Sequence, residues 1–434
     1  MVGLAQTLTG KERGDSPPRP ISAVTGQALS LDAIRDPDAI HQLEPEWRAL
    51  MAAASQKATI YQSYDWAAAC VRRLPPRTEA CILTVRASGR LLAVAPMMID
   101  RLIGLKTMRW LGGSRAIYGD VLADDAVDIA SWLDRAFREL GTRSHVHSLQ
   151  LENVRADARI APYLEGTARK TVARGAPAID LAAIGSFEAW RASQSRTTRR
   201  SRSRRVKQLH AAGRVSFAFE PVGPSASERI ATLLAMKRDW AESRGIISRT
   251  IDDPDFEGLV NELAAPESCL DARYSELSLD DKAIAIELGF VADGIYVSYL
   301  GAYDRTYEAF SPGMLQLENT LEACFAEGIK RFDLQPPADA YKLSLANCGT
   351  EVSSYSLALT RPGIAHGLVA DADPVGLARA LIDKMPARVR HVMSGALRRH
   401  RSASARTARP AKTNGLFKPA LVVFGAGCAI AASL

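Results

Sequence analysis

Apolar and polar residues alternate with a period of two through residues 283–291 (AIAIELGFV) and again through 295–303 (IYVSYLGAY). That period predicts two half-buried strands, the second rich in β-branched and aromatic residues. Ala292-Asp293-Gly294 between them is a turn signal, because Gly accepts positive φ. The period then lengthens: Met314, Leu317, Leu321 and Phe325, with the small Cys324, recur at helical spacing over 313–327. Ser311 can cap that helix, Pro312 suits its first turn and Gly328 ends it. A short strand over 329–334 carries Asp333, and Tyr341-Lys342 follow. This order of hairpin, loop, helix N-terminus and strand ending in an acid has chemical content. Helix N-termini attract anions such as a pyrophosphate, and ligands of α/β sheets bind at the C-terminal ends of strands. Ordinary sheet-and-helix core produces the same periods.

The same signals, read along the chain, predict disorder over 1–28 and structure from near Leu29. Helices are expected over 45–54 and 64–74, the latter stopped by Pro75-Pro76, and strands over 80–87 and 91–99 joined by Ser88-Gly89-Arg90. A strand over 117–122, a helix over 126–140 and strands over 147–152 and 177–181 follow. From Ser186 one helix should run through an Arg-rich stretch to Gly213, then a strand over 215–220, helices over 225–244 and 254–264, and a strand over 273–279. CILTVRA-SGR-LLAVAPMMI in the first half has the layout of RYSELSL-DDK-AIAIELGFV in the second. An internal duplication follows, with two mixed α/β units over 29–185 and 186–360 and a flexible basic tail over 361–434 that includes one helix at 374–384. A hairpin repeated by chance would look the same.

The 434 residues, 47% hydrophobic and 24% charged, suit two or three globular domains. A net charge of +7 favours anionic partners without by itself indicating nucleic acid. Six scattered cysteines without a CxxC pair read as reduced thiols of a cytoplasmic protein. His145 and His147 share a strand face but make a weak metal site, so no metal is expected. The N-terminus has no apolar run of the secretory type. Residues 420–434 are uncharged and apolar and follow a basic segment; at about 1.5 Å per residue they fall short of a hydrocarbon core of about 30 Å. They fit a peripheral membrane contact or a frayed tail.

The densest charge is Arg196, Arg199, Arg200, Arg202, Arg204, Arg205 and Lys207. On a helix, Arg196, Arg199/Arg200 and Lys207 share a side. The run reads as a phosphate- or glycan-facing helix, a nucleic-acid surface or a solvated face; missing aromatic interleaving argues against single-stranded nucleic acid. Tyr299, Tyr303 and Tyr307 line the end of the second strand and its loop, with Tyr299 and Tyr303 on one face, as walls of an acceptor site or as packing.

Several of these stretches together resemble the GNAT-like acyltransferases of the cellulose-biosynthesis-associated CelD/BcsL type, relatives of the Fem-type aminoacyl transferases. They are the Arg-rich helix with Gly213, the helix with Lys237 and Trp240 ending at Arg244-Gly245, the strand pair KAIAIEL/YVSYLGAYD, the start Ser311-Pro312-Gly313-Met314-Leu315, and FDL…YK with Asp333, Tyr341 and Lys342. YQSYDWAAAC and LLAVAPMMI extend the likeness into the first half. The resemblance implies two tandem GNAT-like units of mixed sheet flanked by helices and an acyl transfer, N- or O-acetylation of a sugar or polysaccharide precursor, with acetyl-CoA or another acyl-CoA as co-substrate. Strand 295–303 would supply backbone N–H groups, and Ser311, Gly313 and Met314 would hold the donor. Asp333 would act as base or acceptor-orienting acid (or merely cap the next turn). Tyr341 would protonate the leaving group, and Lys342 would neutralise a phosphate or carboxylate. Tyr299, Tyr303, Lys237, Trp240 and Arg204 would bind substrate. Two departures stand out: Pro336-Pro337 occupies the family's Arg-Gly turn, and the start of the donor helix holds a single glycine. They leave room for Fem-like aminoacyl transfer, or for a non-catalytic accessory protein of the polysaccharide biosynthesis machinery.

Overall fold

The computed structural model describes residues 29–54, 59–102, 104–223, 226–246, 248 and 250–364. The expectations for the N-terminal stretch and the basic, apolar tail lie outside the described residues. The strands are β1 (Leu29–Ile34), β2 (Glu79–Ala87), β3 (Arg90–Leu102), β4 (Leu105–Trp110), β5 (Leu122–Ala123), β6 (Val146–Arg155), β7 (Arg169–Asp180), β8 (Val215–Pro221), β9 (Asp271–Leu279), β10 (Lys282–Ala292), β11 (Ile295–Tyr303), β12 (Arg331–Asp333) and β13 (Cys348–Ala358). The helices are α1 (Pro37–Gln42), α2 (Glu44–Ala53), α3 (Tyr64–Val71), α4 (Ile129–Arg143), α5 (Ala161–Thr167), α6 (Leu181–Ile184), α7 (Phe187–Ser193), α8 (Arg196–Ala212), α9 (Ala226–Ser243), α10 (Phe256–Leu263), α11 (Pro312–Ala326) and α12 (Ala340–Leu345).

The strands form one mixed sheet in the order β1-β2-β3-β4-β6-β13-β7-β12-β11-β10-β9-β8, with β5 against β3. Exchanging β1, β2, β3, β4, β6 and β7 for β8, β9, β10, β11, β12 and β13 reverses this order onto itself. The two halves are therefore related as a pseudo-dimer. At the seam each half inserts its last strand into the other: β13 lies between β6 and β7, and β7 lies between β12 and β13. The pairings agree, since β4–β6 and β11–β12 are both parallel whereas β6–β13 and β12–β7 are both antiparallel.

The hairpins carry the same signature in finer detail. Ala87 pairs Arg90 across Ser88-Gly89, and Leu279 pairs Lys282 across Asp280-Asp281. All four turn residues have positive φ, the geometry whose twist matches paired strands. Two residues into the returning strand each hairpin bulges, at Leu92 and at Ile284. A shared bulge position points to duplication more strongly than shared hydrophobicity does.

Both faces of the sheet are covered. One core cluster joins Trp66, Tyr61 and Tyr118 of the first half to Phe256, Phe290 and Tyr299 of the second. Charged contacts reinforce this junction: Arg115 Nε donates to Asp253 Oδ2 at 2.8 Å, and Arg72 and Arg73 both pair with Glu262.

Several elements differ from the sequence expectation. The long helix from Ser186 is two helices, because Ser195 is an N-cap whose hydroxyl accepts from the Thr198 N–H and restarts the helix after Gln194. The strand expected over 117–122 is reduced to β5, and β7 begins eight residues before the predicted 177. The sequence pattern does not predict strand β13 or helix α12. Ser311 has φ of 52° and offers its carbonyl, not its hydroxyl, to the Met314 and Leu315 N–H groups. The side chain is thus no cap.

Candidate active site

Strands β11 and β12 pair only through Ile295–Arg331, Tyr296–Phe332 and Val297–Asp333. Beyond that point β12 ends and β11 runs on to Tyr303, so the sheet opens. At the opening β11 bulges: Leu300 pairs Leu288 and Ser298 pairs Gly289, which leaves Tyr299 as the extra residue. A bulge withdraws backbone groups from the ladder and re-aims the side chains around it. One consequence corrects the sequence reading. The extra residue breaks the alternation, so Tyr299 packs into the core between the halves whereas Tyr303 packs with Leu315 and Leu279 on the other face.

Asp333 closes β12 at the root of the opening and is only 2% exposed. Its Oδ1 accepts from Tyr118 Oη at 2.9 Å and from the Gln335 N–H at 2.8 Å, and Arg155 Nη1 lies 3.8 Å from Oδ2. Arg155 is itself forked onto Asp157 and lies over the Tyr118 ring. Burial pushes the Asp333 pKa above the ordinary carboxylate value, against the pull of these donors. Gln335 Nε2 donates to Tyr61 Oη at 3.1 Å, which continues the network into the first half.

Two lysines reach the two lips of the opening. Lys342, on α12 and 8% exposed, donates from Nζ to the Gln335 carbonyl at 3.0 Å. Lys237, on α9, donates from Nζ to the Gly301 carbonyl of β11 at 2.7 Å. Burial lowers both lysine pKa values, and the Lys342 charge lowers that of Lys237 further. Glu287 faces both lysines. It is 3% exposed, with Oε1 accepting from Tyr296 Oη and Oε2 from Ser298 Oγ, each at 2.7 Å. Burial raises its pKa while those hydroxyls and the lysines oppose the rise. Tyr341 is 46% exposed, and what burial it has pushes its pKa up to about 12. Trp240 lies between Lys237 and Arg244, each 5.1 Å from its ring centre. Tyr299 Oη donates to the Arg115 carbonyl at 3.4 Å, so it is packed and does not wall a site.

A groove of about 270 Å³ runs between α8 and the start of α11, lined by Thr198, Ser201, Arg202 and Arg205 on one side and Ser311, Met314 and Glu318 on the other. Arg202 forms an ion pair with the buried Glu318. Gly313 sits against Tyr303, where a Cβ would lie 3.2 Å from the ring. Arg204 faces away from this groove, on the outer side of α8.

Asp333, Lys342 and Lys237 therefore gather at the opening, with Tyr341 next to Lys342 on α12 and Trp240 packed on Lys237. Ser311 and Met314 line the neighbouring groove, and Tyr299 and Arg204 belong to neither. Glu287, Tyr61, Tyr118, Arg155 and Gln335 are not among the expected site residues, whereas Arg202 is expected only as part of the Arg-rich run. Of these five, only Glu287 has a signal, as the one charged residue in the apolar run 283–291. The corresponding opening of the first half, between β4 and β6, is filled by the chain itself. The Gly119 N–H donates to the Asn153 carbonyl of β6, and Asp120 accepts from the Val121, Arg159 and Ile160 N–H groups. His147 Nδ1 accepts from the Lys106 N–H, a structural use, and no group of ligands that could hold a metal ion occurs among the described residues.

Residues 196–343 match the family model described as an acetyltransferase (GNAT) domain. Among solved structures the fold is similar to FemX, at a TM-score of 0.51 and 11% identity over 74% of this chain and 96% of FemX. It is also similar to a tandem GNAT protein from the clavulanic acid biosynthesis pathway (TM-score 0.44, 12% identity, 77% of this chain and 99% of that one). A third similar structure is the C-terminal domain of a putative lysylphosphatidylglycerol synthetase from Agrobacterium fabrum (TM-score 0.45, 10% identity, 77% and 96%). No curated protein sequence matches. Residues 196–343 thus carry a GNAT-type acetyltransferase domain, set in a fold of two tandem GNAT-like units, and the chain is an acyltransferase.

Proposed function

We propose that this chain transfers an acyl group from an acyl-CoA, acetyl-CoA in the first instance, to an amine or hydroxyl of a small-molecule or glycan acceptor at the opening between β11 and β12. The observation that carries this reading is the bulge at Tyr299 where β12 ends. Acyl transfer passes through a tetrahedral intermediate whose oxygen bears charge, and preorganised backbone N–H groups are a strong way to stabilise it. The donor's pyrophosphate lies at the start of α11, by Ser311, Gly313 and Met314, with Arg202 and Arg205 across the groove. The acceptor nucleophile attacks the thioester carbonyl, the C–S bond breaks, Tyr341 protonates the departing thiolate, and the proton released by the acceptor N–H or O–H returns to the Tyr341 phenolate. Lys342 and Lys237 hold the acceptor's polar groups. Asp333, buried with Oδ1 engaged by Tyr118 and the Gln335 N–H, orients the acceptor side through those two residues. The motifs shared with the CelD/BcsL type support a sugar or polysaccharide precursor as acceptor.

Thiol release from acetyl-CoA, assayed over a panel of amino sugars and sugar alcohols, tests this. Acceptor-dependent release that falls in Lys342→Ala and Asp333→Asn is the expected result. Release that is absent with every acyl-CoA, or unchanged in both variants, overturns it. One observation favours aminoacyl transfer as a second reading: Gly313 is spent on packing against Tyr303, so the start of α11 lacks the freedom of a glycine-rich phosphate loop. Activity with an aminoacyl donor alone would select that reading.

A further inference from the structure

Helix α8 carries a stripe of cations that the site does not use. Arg196, Arg199, Arg200, Arg204 and Lys207, with Ser203 among them, follow the i, i+3, i+4, i+7 pattern of one helix side and line one shallow, open basin. The opposite side is turned inward, where Leu209 is buried and Arg202 meets Glu318. The stripe spans about 16 Å at about 1.5 Å per residue. The helix contains no Asp or Glu, and among the described residues none of the five cations forms an ion pair. Like charges at this spacing repel one another and weaken a helix. Among the described residues no acidic side chain compensates them, which leaves the stripe open to an anionic partner.

We propose that the outer face of α8 docks on an anionic phospholipid surface. A straight row of arginine and lysine on a convex helix face meets a plane of phosphates with every side chain at once, and each basic residue near such a surface contributes roughly 1 kcal/mol. Single-stranded nucleic acid is disfavoured by the absence of an aromatic in the stripe on which a base could stack. The chain's own composition points the same way. Beyond the described residues it holds a second basic segment, Arg398 to Lys412, and then the uncharged apolar run of residues 420–434. Stable attachment to a bilayer takes two signals of this kind. Docking through α8 would set the α8–α11 groove beside the lipid surface. The inference stands apart from the choice of donor and acceptor.

The test is co-sedimentation of the full chain with phosphatidylcholine vesicles and with phosphatidylcholine/phosphatidylglycerol vesicles. The wild type should partition onto the anionic vesicles alone and lose that partition as salt is raised. Replacing Arg199, Arg200, Arg204 and Lys207 together by Ser should weaken it by about 100-fold or more. Replacing the three arginines by Lys, which keeps the charge, should leave it within about twofold, because the surface attraction depends on charge. No binding to anionic vesicles overturns the proposal. So does binding that survives both high salt and the Ser variant, which would belong to the apolar tail. Salt-steep binding to RNA without vesicle binding would assign the stripe to nucleic acid instead.

Discussion

The hydroxyl of Tyr118 donates to Oδ1 of Asp333 at 2.9 Å, across 215 positions of sequence and from one half of the chain to the other. Tyr118 lies in the very loop that fills the first half's opening, and Asp333 is the root of the second half's opening. The segment that closes one potential site thus builds the other. Tyr118→Phe removes one of two donors to a buried oxygen and should cost about 1–3 kcal/mol. It should also raise the Asp333 pKa further, since the lost bond lowers it. A carboxyl whose pKa is raised in the folded state binds its proton more tightly there. Stability therefore falls as pH rises from the ordinary value of 3.8 through the raised one. Urea midpoints at pH 4 and pH 7 should differ more in the variant than in the wild type.

Arg202 and Glu318 make a second pH-dependent contribution. Burial outweighs their attraction and pushes the Glu318 pKa from 4.5 up to about 7. The folded state then holds more protons than the unfolded one between those values, and stability should decline across that window by on the order of 2–3 kcal/mol, with no further loss above it. Replacing both residues, Arg202→Met with Glu318→Leu, should abolish the slope with little loss of stability at pH 8, as is common when a buried pair becomes apolar. Denaturation midpoints between pH 4.5 and 8 check this. A retained slope would assign the titration to another group.

Glu287 raises the pKa of both Lys237 and Lys342. Glu287→Gln keeps the shape and leaves an oxygen and an amide facing Tyr296 and Ser298, but removes the charge. The fold should persist, and the two lysines should lose their protons at lower pH. The basic limb of the pH–rate profile should move down, with kcat/KM reduced at pH 8 more than at pH 6. An unchanged basic limb would separate Glu287 from the lysines.

The seam between the halves should be sensitive to a single methyl group. Gly349 on β13 faces Pro177 of β7, and a Cβ there would lie 2.8 Å from the Ala176 carbonyl oxygen. Backbone cannot yield as a side chain can, so Gly349→Ala should cost about 1–3 kcal/mol. Thermal unfolding checks this; an unchanged Tm would mean that the strand exchange tolerates a shift.

Local pattern carried the hairpins, α11 and the duplication, because adjacent strands and helix faces are written in nearby residues. The strand exchange was not legible. Strand β13 reads CGTEVSSYSLA, polar on both faces, and its partners lie in the other half of the chain. For the same reason Tyr61, Tyr118 and Arg155 gave no sign of meeting Gln335 and Asp333: topology alone brings them together. The shared face expected for Tyr299 and Tyr303 failed because a bulge depends on the partner strand's register, which periodicity does not record. Arg202 and Arg205 could be told from Arg204 only once the helix restart at Ser195 had set which side of α8 turns inward.

We propose that this duplicated fold has one working opening, the one between β11 and β12, with its donor held between α8 and α11. Isothermal titration of the full chain with acetyl-CoA tests it most directly, with Arg205→Ala as the paired variant. One equivalent should bind per chain, and binding should be weaker in the variant. Two equivalents per chain would contradict it, and so would single-site binding indifferent to Arg205.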